Sequence, residues 1–137
     1  MSVLTQIQID QFWRDGVLTV DDAVSPDQLA ALRSEFQAWV DCSREHDQPY
    51  GDTLDGRPRF DLQPRHNADQ PALRRVQALS EISNAYYDAM TASTMTQMVA
   101  DLIGPNVKHH HNKINSKLLG AATEVKCHQD YNKPSSI

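Results

Sequence analysis

At 137 residues the chain is long enough to bury one hydrophobic core and too short for two. Its 13 basic and 18 acidic side chains leave a formal net charge of -5 with the signs interspersed, which excludes the basic stripe of a nucleic-acid binder. No apolar run approaches the roughly 20 residues of a membrane span. No basic and then apolar leader opens the chain, and Cys42 and Cys127 are too few for a disulfide framework. These features together predict a single soluble cytoplasmic domain with neither nucleic-acid nor membrane partners.

Residues 5–14 have the pattern of a short helix, ended by Asp15-Gly16, and 17–20 follow as a short strand. Ser25-Pro26-Asp27-Gln28 is a strong helix start, because serine caps, proline suits the first helical position and Gln28 completes a capping box. Leu29, Leu32, Phe36 and Val40 then recur at helical spacing and predict one buried stripe. From 42 to 71 the chain is polar and rich in glycine and proline, which reads as a long loop with one short strand near 59–62. A loop of that length in a small domain is often an active-site lid.

Helices are expected again over 71–78, 80–90 and 94–103. Thr94 and Gln97 suggest a second capping box, and Gly104-Pro105 a stop. Residues 107–118 and 124–131 look like strands joined by a turn at 119–122. The layout predicts an α+β fold in one domain, with 1–105 mainly helical and 106–131 the first core strands.

Strand periodicity then sorts the polar residues near the C-terminal end. Over 107–118, one face carries His109, His111, Lys113, Asn115 and Lys117, and the other carries His110, Ile114, Ser116 and Leu118. Such a face is either solvated or the wall of a cavity built for an anion. In 124–131, His128 and Asp130 share a face, while Cys127 and Gln129 point the other way. An imidazole beside a carboxylate suits a borderline or hard divalent metal, and a second histidine completes the 2-His-1-carboxylate triad of non-haem iron oxygenases. The competing reading is a hydrogen-bonded surface pair. In the run His109-His110-His111 neighbours face opposite ways, so only His109 and His111 can share an ion. By the same alternation Cys127 faces away from His128, which argues against a Cys-His nucleophile.

Three stretches carry a family resemblance. They are FWRDGVLTV from Phe12 with SPDQL from Ser25, then LIGPNV from Leu102, then HNKINSK from His111 with EVKCHQDY from Glu124. In this order and spacing the chain resembles the N-terminal half of the phytanoyl-CoA dioxygenase family of Fe(II)- and 2-oxoglutarate-dependent oxygenases. The resemblance implies a double-stranded β-helix (jelly-roll) core preceded by helices. It implies Fe(II), 2-oxoglutarate and O2 as cofactor and co-substrates, and hydroxylation of a small organic or acyl-type substrate. By the same resemblance His128 and Asp130 are iron ligands, Gln129 touches 2-oxoglutarate, and Lys113 and Asn115 line the co-substrate pocket.

Two departures accompany it. Cys127 stands where the family commonly has tryptophan. The family's distal histidine and its carboxylate-pairing arginine lie well downstream of the His-x-Asp motif, whereas this chain ends seven residues after Asp130. His46, His66 and the 109–111 run precede the motif and do not match the distal position. The resemblance therefore implies a chain cut after the first metal motif, with 1–137 alone expected not to turn over 2-oxoglutarate. The alternatives are a non-catalytic fragment or binding module of the same fold, and a zinc hydrolase built on His109, His111 and a distant acid.

Overall fold

Two capping boxes start the molecule. In the computed structural model, which describes residues 2–117, Thr5 caps helix α1 (Gln6–Asp15) and Ser25 caps helix α2 (Pro26–Ser43). At each start the cap oxygen accepts from the backbone of the glutamine three residues on, which reaches back to the cap N–H at 2.9 Å for Thr5 and 3.0 Å for Ser25. Gly16 ends α1 in a left-handed conformation at φ 75°, donating to the Phe12 carbonyl at 2.8 Å. Residues 17–20, expected as a strand, connect the two helices without strand pairing.

The polar stretch after α2 is not the long loop its composition suggests. It forms a hairpin of β1 (Tyr50–Leu54) and β2 (Arg57–Leu62), closed by Asp55 and Gly56 at φ 49° and 74°. Both central residues have positive φ, so the Asp-Gly pair makes the two-residue turn whose twist matches the strands.

Strand β3 (Leu73–Gln77) lies where a helix over 71–78 is expected. It pairs antiparallel with β2, Phe60 opposite Val76 and Leu62 opposite Leu73, with an irregularity between Asp61 and Leu62. The extra residue on β3 turns both Leu73 and Val76 inward at a spacing of three, which mimics a helical stripe in the sequence. A 3-10 turn (Leu79–Glu81) then leads into α3 (Asn84–Ala92) and α4 (Thr94–Ile103). The expected Thr94–Gln97 box is replaced by Ser93 in the cap position of α4, with no side-chain cap bond. Of the strand expected over 107–118, β4 (Lys113–Asn115) forms and 107–112 does not.

The result mixes helices with one antiparallel sheet in the order β1-β2-β3-β4, an α+β arrangement. The expectation that strands follow the helices is corrected, since three of the four strands among the described residues lie between α2 and α3; the strand expected over 124–131 and the turn at 119–122 lie outside those residues. Val40, Leu62, Leu73, Val76 and Leu79 are the buried centre, with Phe36, Trp39, Tyr86 and Ile114 packed on it. The indole of Trp39 stacks on Tyr86 at 5.3 Å and meets Phe60 edge-on at 6.3 Å. Leu29, read as part of the α2 stripe, is exposed instead.

Candidate functional site

Alternation along the strands gives the sheet two unlike faces. Phe60, Val76 and Ile114 form one cross-strand row and belong to the core beneath the helices. Asp61, Arg75 and Asn115 form the next row, on the opposite face. There Asp61 forms ion pairs with Arg75 at 3.2 Å and Arg74 at 3.5 Å. Gln77 and Lys113 are paired one step further along the same face.

Arg59 anchors the end of this face. The residue is 5% exposed, and its guanidinium donates to Glu81 at 2.8 Å and Asp52 at 3.3 Å. It also donates to the carbonyls of Ala78 at 2.9 Å and Gln77 at 3.2 Å. These bonds hold the chain where Ala78 takes a left-handed φ of 52°. Ala78 N–H then donates to the Asn112 carbonyl at 2.9 Å, and the Asn112 amide to Ser80 Oγ at 3.0 Å. One buried arginine thus fixes the corner against which the segment before β4 lies. Sequence reasoning missed it, although Arg57, Arg59 and Asp61 alternate in the manner of a polar strand face.

Beside that corner is a cleft of about 640 Å³, lined by Gln77, Glu81, Tyr87, the His109–His111 run and Lys113 among others. This lies within the roughly 300–1,000 Å³ of small-molecule sites. Lys113 has no carboxylate within ion-pair distance among the described residues. Asn115 shares the strand face of Lys113 but sits beside Arg75, not in the cleft lining. His109, His110 and His111 all line the cleft, because the segment carrying them is not a strand and alternation does not separate them.

The other proposed ligands, His128, Gln129 and Asp130, lie outside the described residues, as does Cys127. Among the described residues no group of three or more His, Cys, Asp or Glu is placed to hold a metal ion, so the zinc hydrolase reading finds no third donor there. The imidazole and carboxylate expected of His128 and Asp130 form a donor pair whose chemistry fits a divalent metal of borderline hardness.

On the core side, burial and then Cys42 push the Tyr50 phenol up to about 12. Its ring is sandwiched between His46 at 3.6 Å and Phe60 at 4.7 Å. The Tyr86 phenol is raised as well, by burial first and then by Glu35, and donates to the Leu32 carbonyl at 3.2 Å. Both groups serve packing and stay protonated.

No helix among the described residues is long and apolar enough to cross a membrane. No curated protein and no solved structure matches the chain. A family model described as phytanoyl-CoA dioxygenase (PhyH) matches residues 12–133, from within α1 through the His128–Asp130 motif. The chain therefore belongs to the phytanoyl-CoA dioxygenase family, whose members are in general Fe(II)- and 2-oxoglutarate-type oxygenases.

Proposed function

We propose that this chain supplies His128 and Asp130 to the Fe(II) centre of a 2-oxoglutarate-dependent oxygenase acting on a small organic or acyl-type substrate. The observation that carries the reading is the family match, which runs through both residues. Bound iron, with 2-oxoglutarate and O2, supplies the oxidising chemistry for hydroxylating a C–H bond. The protein's part is to hold and orient. His128 would bring a neutral imidazole nitrogen and Asp130 an anionic oxygen, two residues apart in the sequence, the spacing at which an extended segment presents both to one ion.

Lys113 and Asn115 point from β4 to the polar side of the sheet, and Gln129 follows in the motif itself. A carboxylate of 2-oxoglutarate gains a charge-assisted contact from an ammonium and hydrogen bonds from the amides. The Lys113 ammonium, which has no carboxylate within ion-pair distance among the described residues, supports this assignment. In the same proposal the four strands belong to one sheet of a jelly roll within a single cytoplasmic domain. Helices α2 and α3 cover the outer side, and the row through Asp61, Arg75 and Asn115 faces inward.

Ligand-linked stabilisation tests the reading. A ligand that binds only the folded state raises the Tm. Under anaerobic conditions Fe(II) together with 2-oxoglutarate is expected to raise it, and to do so much less in His128→Ala. Equal shifts in both proteins, or none in either, contradict the proposal.

A further inference from the structure

We infer that His110 and His111 form a second transition-metal site, separate from the His128–Asp130 pair, on the wall of the cleft. A regular strand would send these neighbours to opposite faces, but residues 107–112 are not strand and both rings turn into one cleft. Their centroids lie 4.7 Å apart with planes at 72°, and the two Nδ1 atoms converge to 2.5 Å. Two nitrogens bound to one ion at about 2.0–2.1 Å stand roughly 2.9 Å apart at a right angle and roughly 3.3 Å apart in a tetrahedral site. An ion therefore needs to part the pair by roughly 0.4–0.8 Å, and both residues are exposed, so the rings have room to turn. Without an ion the same contact is one N–H···N hydrogen bond, in which one ring donates and the other accepts.

The donor type selects the metal. Imidazole favours Cu(II), Ni(II) and Zn(II) over Mg(II) and Ca(II), which need oxygen ligands. With two protein donors the site leaves its other positions open to the cleft, where water or the carboxylate of Asp55, from the hairpin turn, is within the same lining.

The test is calorimetric titration of the whole chain with Ni(II) alone, alongside proton spectra of the histidine rings. Nickel should bind at His110–His111 in wild type and with the same affinity in His128→Ala, which loses only the equivalent taken up at His128–Asp130, and this separates the two sites. Paramagnetic broadening should fall first on the His110 and His111 ring protons. Each of His110→Ala and His111→Ala should weaken binding by about tenfold or more, the loss of one metal bond, while His109→Ala should not. The ring of His66 is held by the Ser43 and His46 carbonyls and the Ala72 N–H, so its unchanged resonances report that each variant is folded. No nickel binding, wild-type binding by the His110→Ala/His111→Ala double variant, or loss of binding at His110–His111 in His128→Ala would each overturn the inference.

Discussion

At the scale of single residues, Arg59 and Asp101 show how charged groups fix backbone in this protein. Removing the Arg59 guanidinium leaves the Gln77 and Ala78 carbonyls without their donor. Arg59→Met is therefore expected to cost about 1–3 kcal/mol, the range for buried groups left unsatisfied. Little of that comes from the Glu81 ion pair, because the Glu81 side chain is 59% exposed and solvent screens it. Arg59→Lys should recover only part, since one ammonium cannot reproduce the planar fork. Thermal unfolding of both variants at the wild-type temperature would contradict this role.

Asp101 accepts from the Leu4 N–H at 2.9 Å and the Val3 N–H at 2.7 Å, tying the N-terminal segment to α4. The Leu4 bond above all holds its carboxyl below the usual range, against an opposing effect of desolvation, with Val3 adding to the depression. A depressed carboxyl stabilises the fold above its ordinary value of about 3.9, and that contribution is lost as pH falls through the lower folded value. Protection of the Leu4 amide relative to its intrinsic exchange rate should accordingly fall on acidification below about pH 4, and at neutral pH in Asp101→Ala. Unchanged Leu4 exchange in the variant would remove the tether from the account.

At the scale of elements, what the sequence made legible was what local chemistry decides. The Ser25–Gln28 box, Pro26 and the Gly16 stop set α1 and α2 without reference to the rest of the molecule. Strand β3 was not legible, because its inward pair Leu73 and Val76 stand three apart, and the cause is an irregular pairing with β2 that local sequence does not encode. The hairpin carried its signal in Asp55-Gly56, but the surrounding proline and polar residues outweighed it in a reading by composition. The cost of disturbing β3 follows from its burial. Leu73 is 1% exposed, so Leu73→Ala should destabilise by about 2–5 kcal/mol. Leu29→Ala, on the open side of α2, should stay within about 0.5 kcal/mol. Equal denaturation midpoints for the two variants would show that the core is elsewhere.

At the scale of the whole molecule, the sheet divides an apolar side under the helices from a polar side that carries Asp61, Arg75 and Asn115. The period-two reading of residues 113–115 found this polar side from sequence alone, because a regular strand does alternate there. It failed for 109–111, where the backbone is irregular and all three histidines line one cleft. The family was legible from short stretches in order, and the match over 12–133 bears that out. If His128 ligates iron as proposed, Cys127 precedes a ligand without being one. Cys127→Ala should leave metal binding intact, whereas loss of either ligand removes a metal bond.

Anaerobic equilibrium dialysis of Fe(II) with 2-oxoglutarate present therefore tests the central claim most directly. Wild type and Cys127→Ala should retain iron at one equivalent, and 2-oxoglutarate should raise that retention. His128→Ala and Asp130→Ala should each lose at least about tenfold in affinity. Retention of iron by both ligand variants at the wild-type level would contradict the assignment of His128 and Asp130 as the metal's protein ligands.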